Sequence, residues 1–218
     1  LTTLNTSADE LYPTLGSSEQ DLLFVKRSEE LGKGKKIVER YYLMSSSLVH
    51  SQWSAPDVII ISQGGDISPV LLADNKTVIF ASSRTTADKK EGNFALFYTQ
   101  RIDQRNWYQP QLILAPKNKN EHYYAPYVKN FVRQGNVCNV TIGYTHQICN
   151  NRDTSYIAEQ LVLPEQFHPQ PILTLEGRIR DVKTKRIAPA QIIVFHAISF
   201  KPLAQIQSSY LGIYKLAL

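Results

Sequence analysis

Glu10-Leu11-Tyr12-Pro13 returns as Asp66-Ile67-Ser68-Pro69 and again as Tyr123-Tyr124-Ala125-Pro126. The prolines stand 56 and then 57 residues apart, and Phe24 and Phe80 each follow their proline by eleven residues. A second landmark runs in phase with the first: Trp53-Ser54-Ala55-Pro56 and Trp107-Tyr108-Gln109-Pro110, 54 residues apart. Two landmarks repeating in phase signal a repeat architecture in which each unit is one supersecondary module.

Inside one period, strand chemistry alternates with turn chemistry. In the second copy, residues 68–72 predict a short apolar strand. Ala73-Asp74-Asn75-Lys76 predicts a turn, because Asp and Asn tolerate tight turns and bond their own backbone. Residues 77–82, 94–102 and 111–114 predict three more strands. The first copy reads the same way at 11–15, 21–26, 38–44 and 57–61. Four strands in a unit of about fifty residues is the pattern of a β-propeller blade. The third copy is degenerate. Pro126-Tyr127-Val128 opens it, 137–145 and 155–163 supply later strands, and it lacks Trp-x-x-Pro. Its first hairpin carries roughly five extra residues. The expected fold class is all-β, with a partial propeller of about three blades over 1–165, divided near 1–61, 62–118 and 119–165.

Asn5-Thr6, the acidic pair Asp9-Glu10, Tyr12-Pro13-Thr14-Leu15 and then Leu22-Leu23-Phe24-Val25 resemble the TolB-type propeller repeat. Members of that family read approximately Tyr-Pro-Thr-Leu-Ser, a Pro-Asp-Gly turn, then Leu-Tyr-Phe. Here the turn is Gly16-Ser17-Ser18-Glu19-Gln20, a departure from the family pattern. The resemblance covers residues 1 to about 170.

Beyond Pro164 the texture changes. Residues 166–171, with Pro169 and Pro171, read as a linker, and the repeat does not resume. Leu175-Glu176-Gly177-Arg178-Ile179-Arg180-Asp181, the strand-like 187–194 and Tyr210-Leu211-Gly212-Ile213-Tyr214-Lys215-Leu216 argue short antiparallel strands. They are similar to the carboxypeptidase regulatory-like domain, a transthyretin-like β-sandwich, with Lys185 where that family's turn usually has glycine. On this resemblance, 172–218 is a truncated sandwich, and the whole chain is expected to be an interior piece of a larger protein. Upstream blades or a partner chain are then expected to cover the edge beside residues 11–15.

Composition narrows the function. The chain has 218 residues, 43% apolar, with twelve Tyr and eight Phe, an excess that favours strands. There is no run of eighteen apolar residues, so no transmembrane helix is expected. The formal charge is +5, but Lys and Arg are scattered rather than striped with stacking aromatics, which argues against a nucleic-acid partner. No Gly-x-Ser-x-Gly elbow, His-Glu-x-x-His helix, phosphate-binding glycine loop or calcium loop is present. No catalytic residue, cofactor or metal is therefore expected. His50, His122, His146, His168 and His196 lie far apart and read as ordinary loop or strand residues. Cys138, His146 and Cys149 match no common zinc spacing. A Cys138–Cys149 disulfide is the alternative, and it requires the chain to fold back near Gly143. Eleven residues of one strand, at about 3.3 Å each, exceed a disulfide's reach. Phe24, Phe80, Trp53 and Trp107 are expected in the core between blades, because they recur in phase.

Charge and topology together give one partner surface. In a blade, the loop after the second strand emerges on the same face as the link to the next blade. Lys33, Lys35 and Lys36 fall in the first such loop, Lys89 and Lys90 at the same phase in the second, and Lys117 and Lys119 in a link. Clustered lysine steers an acidic partner. The order of propeller and regulatory-like sandwich resembles OmpA-family envelope proteins of Bacteroidota, some of which belong to type IX secretion and gliding machinery. The resemblance implies a non-catalytic, periplasmic scaffold associated with the outer membrane, whose partners are other envelope or secretion proteins. Peptidoglycan binding would lie in a domain outside these residues. Two alternatives remain open: a glycan- or peptide-binding propeller, and the substrate-gating propeller of a peptidase.

Overall fold

The computed structural model describes residues 4–31, 37–49, 52–60, 64–85, 92–103, 106–134, 137–150, 153–169 and 174–217. The chain is all-β, built of several small antiparallel sheets, none of which closes on itself. Among the described residues only the 3-10 turn Glu165–Phe167 is helical, and no helix is long and apolar enough to cross a membrane.

The first sheet holds β1 (Asp9–Leu15), β2 (Asp21–Leu31) and β3 (Ile37–Val49), with β4 (Gln52–Trp53) and β5 (Asp57–Ile60) both paired to β3. The second is a four-stranded meander of β6 (Asp66–Leu71), β7 (Thr77–Ser82), β8 (Ala95–Gln100) and β9 (Gln111–Leu114). The third has three strands, β10 (Glu121–Gln134), β11 (Val137–Cys149) and β12 (Thr154–Val162). Each strand expected from the sequence in 11–163 overlaps one of these.

The recurring proline has a structural counterpart. β1, β6 and β10 are edge strands, where a residue without an N–H is tolerated. In each, the residue before the proline takes a left-handed backbone: Tyr12 at φ 52°, Ser68 at 52° and Ala125 at 49°. The register slips there, between Leu11 and Thr14, Ile67 and Val70, and Tyr124 and Tyr127. This is one β-bulge made three times. The residues opposite it are Phe24, Phe80 and Tyr144. Tyr144 lies eighteen residues beyond Pro126, so the third hairpin is seven residues longer than the others rather than roughly five.

Side-chain alternation stacks the three sheets. All six residues of β7 are buried. Val78 and Phe80, with Ala95 and Phe97 of β8, face Leu23, Val25, Leu43 and Ile59 of the first sheet. Ile79 and Tyr98 instead meet Val140, Ile142, Leu163 and Phe167, and Ala81 and Leu96 meet Tyr123 and Tyr144. Phe24 and Trp53 depart from the expected core between sheets. They lie on the other face of the first sheet with Leu4 and Met44, because the residue opposite each bulge faces away from the following sheet. Phe80 is between sheets, and Trp107 packs at that margin. The turns lock as well: Asn75 Oδ1 accepts the Ser17 N–H at 2.7 Å, and Ser17 Oγ donates to the Ala73 carbonyl at 2.8 Å. Gly16 sits so close to Asn75 that a Cβ would lie 2.4 Å from its Oδ1.

On its free face the third sheet carries Gly143, Thr145 and Ala158. The first two sheets have Leu23, Val25 and Leu43, and Ile79, Ala81 and Leu96, on the corresponding faces. None of the three is a large aliphatic residue, so the apolar pattern of the first two copies is weakened at these positions.

Farther along, β13 (Thr174–Arg178) pairs β16 (Ile213–Ala217), and β14 (Gln191–Phe195) pairs β15 (Pro202–Gln207). Ile206 and Leu216 are buried, but Val182, Ile198, Phe200 and Tyr210 are exposed. The 181–186 turn closes on the Asp181 carboxylate, which accepts the Lys183 and Thr184 N–H groups, and Lys185 takes φ 57°. A glycine adopts that conformation at no steric cost.

Candidate functional site

Charged and aromatic side chains gather at the rim holding the starts of β6 and β10 and the ends of β7 and β11, in two groups: one on the face of the second sheet that meets the first, the other between the second and third sheets. In the second sheet, Asp66 is fully buried, and Arg84 Nη2 donates to both its oxygens at 2.8 Å. The guanidinium lies over the Phe80 and Phe97 rings, 5.2 and 5.3 Å from their centroids. Burial pushes the Asp66 carboxyl up from its ordinary value, against the pull of Arg84.

The third sheet builds a larger network. Strand pairing sets Tyr123 across from His146, and Tyr144 across from Glu159. His146 sits between two carboxylates, with Nδ1 3.1 Å from Glu159 Oε1 and Nε2 3.7 Å from Glu121 Oε2. Tyr144 donates its hydroxyl to Glu159 at 2.6 Å, and Tyr123 donates to Glu121 at 3.3 Å. The Tyr123 ring meets the His146 and Tyr144 rings edge-on, at 4.8 and 5.4 Å. Glu121 also accepts the Lys117 N–H at 3.0 Å and the Asn118 amide at 2.7 Å. The Asn118 bond is the first cause holding Glu121 below the usual carboxylate range, and the Tyr144 bond does the same for Glu159. Burial, then the charge on Glu121, pushes Tyr123 up to about 12.

Lys117 and Lys119 stand exposed on the link above this network. Lys33, Lys35, Lys36, Lys89 and Lys90 lie outside the described residues, as does His50. The remaining histidines serve local structure. His122 Nδ1 accepts the Phe94 N–H, His168 bonds the Leu163 carbonyl, and His196 bonds Ser199 in a turn. The Cys138–Cys149 bridge is not made. β11 runs unbroken from one cysteine to the other, so they stand near opposite ends of a strand, and Cys149 is a free thiol. The same separation breaks up the set Cys138, His146 and Cys149. Among the described residues, no group of three or more His, Cys, Asp and Glu is arranged to hold a metal ion.

Sequence reasoning read His146 as an ordinary loop or strand residue and gave Glu121 and Glu159 no place in a site. Glu121 and His146 stand two residues from Tyr123 and Tyr144, and Glu159 lies across from Tyr144, so the three become a cluster only once the bulge and the longer hairpin set the register. The described grooves lie elsewhere, one beside Leu48, Ile206 and Tyr210, another beside Asp9 and Arg27. Compared with models of known families, with curated proteins and with solved structures, the chain matches none.

Proposed function

We propose that this chain is a non-catalytic protein-interaction module, a propeller-type scaffold that presents loops and strand edges to other proteins. The bulge repeated in three consecutive stacked sheets carries this reading. It supports the TolB-like resemblance, with β1, β6 and β10 as the inner strands of three blades and 172–218 as part of a regulatory-like sandwich. That resemblance supplies the setting: the periplasmic side of an outer membrane, among envelope or secretion proteins, those of type IX secretion and gliding included. The rim network supports a structural role for its acids, since Glu121 and Glu159 spend their oxygens on Lys117, Asn118, Tyr123, Tyr144 and His146. Lys117 and Lys119, with Lys33, Lys35, Lys36, Lys89 and Lys90 at matching repeat phase, form the face for an acidic partner.

Fractionation of cells that make the protein tests the setting. It is expected to sediment with the outer membrane and, after mild detergent, to migrate on native gels as a species larger than the 24.8 kDa chain. A cytosolic monomer overturns the reading. Replacing the seven lysines with Gln is expected to weaken that assembly at low salt and to matter less as salt rises, because exposed charges are screened within about 8 Å at physiological ionic strength.

A further inference from the structure

The first two sheets each carry a fourth strand, and among the described residues the third does not. In the first, β5 pairs Leu43 and Ser45; in the second, β9 pairs Leu96 and Tyr98. Both fourth strands have one polar residue and then three aliphatic ones, Asp57-Val58-Ile59-Ile60 and Gln111-Leu112-Ile113-Leu114. Both slip register at the same place, leaving Ile59 and Ile113 as the bulged residue.

The counterpart positions in the third sheet follow from the residues opposite the bulge. Phe24 pairs Met44, Phe80 pairs Phe97 and Tyr144 pairs Glu159. Ala158 and Gln160 therefore stand where Leu43 and Ser45, and Leu96 and Tyr98, receive a fourth strand. Their backbone direction is set by two flanking bonds, Leu163 N–H to the Val140 carbonyl and Asn150 N–H to the Asp153 carbonyl. With that register, the odd-numbered residues of β12 bond β11, and Tyr156, Ala158 and Gln160 aim their N–H and C=O groups outward. No described strand pairs with that edge. β12 is nine residues long, Thr-Ser-Tyr-Ile-Ala-Glu-Gln-Leu-Val, with no proline or lysine to blunt it, and Tyr156, Ile157 and Val162 are exposed.

We propose that β12 is a strand-docking site, which takes an extended segment of a partner polypeptide antiparallel to itself. The segment has one polar residue followed by three aliphatic ones. The polar residue lies across from Gln160, the first aliphatic across from Glu159, and the last across from Ala158, with a bulged aliphatic between those two. Main-chain bonds to Ala158 and Gln160 hold it, and its alternate side chains pack as those of β5 and β9 do. The site deepens the scaffold reading and rests on it for the source of the strand, another protein; the edge itself rests on register alone.

The probe is a synthetic peptide of this chain's own residues 108–116, which include β9, added to the full chain while amide exchange is followed by NMR. Saturating peptide is expected to slow exchange at Tyr156, Ala158 and Gln160 by about tenfold or more. A peptide with proline at its Ile113 position is expected to have no effect. The Ala158→Pro variant is expected to fold, since its lost N–H bonds nothing in β11, and to stop responding. Unchanged exchange at about 1 mM peptide overturns the site. So does protection of those amides before peptide is added, which in a monomer means the edge is filled from within and in a dimer means a second copy fills it. None of these outcomes bears on outer-membrane fractionation, so the edge and the scaffold reading fail separately.

Discussion

At the residue scale, Asp66 and Arg84 are the most consequential pair. A carboxylate at 1% side-chain exposure holds its charge because a guanidinium reaches both of its oxygens. Arg84→Ala leaves that acid unpaired, and the expected loss is about 3–5 kcal/mol, measured by urea unfolding. Arg84→Met keeps the packing on Phe80 and Phe97, but should recover only part of the loss. The Glu121, His146 and Glu159 network makes a second prediction, in pH. Both carboxyls sit below their ordinary value of 4.5 in the folded chain. The stability they confer is therefore complete above that value and is lost as pH falls through the folded values. Melting temperature should drop below pH 4.5, and less steeply in the double variant Glu121→Gln, Glu159→Gln. An equal slope in both proteins contradicts this.

At the scale of elements, the turns closing β1 to β2 and β6 to β7 place Glu19 at φ 59° and Asn75 at φ 53°. Asn takes that conformation with little cost, whereas Glu is strained by roughly 1 kcal/mol. Glu19→Gly is expected to raise the melting temperature by a few degrees, because relief of the strain outweighs glycine's greater unfolded-state entropy; Asn75→Gly should lower it, because it removes the acceptor of the Ser17 N–H. The strands were legible because proline, Trp-x-x-Pro and alternating aromatics recur in phase. Two things were not. The positive φ before each proline is carried by Tyr, Ser and Ala, none of which advertises a left-handed backbone as glycine does. The His146 cluster depends on cross-strand pairing, which the longer third hairpin shifts by seven residues relative to the other copies.

At the scale of the whole molecule, the second sheet is the keystone, since β7 packs on both neighbours at once. Its amides should be the slowest to exchange, and Phe80→Ala should cost about 3–5 kcal/mol in a single unfolding transition spanning all three sheets. Separate transitions, with the third sheet melting unaffected, would show that the stack is not cooperative.

That double-sided burial also sets a timetable for biosynthesis. The first sheet is complete at Ile60, but Phe97, on the sheet that covers Leu23, Val25 and Leu43, is 37 residues farther along. At about 5–20 residues per second the ribosome needs roughly 2–7 s to deliver it. For that interval the nascent chain displays a bare aliphatic surface. Codon choice between residues 61 and 97 then decides how long a chaperone must guard it.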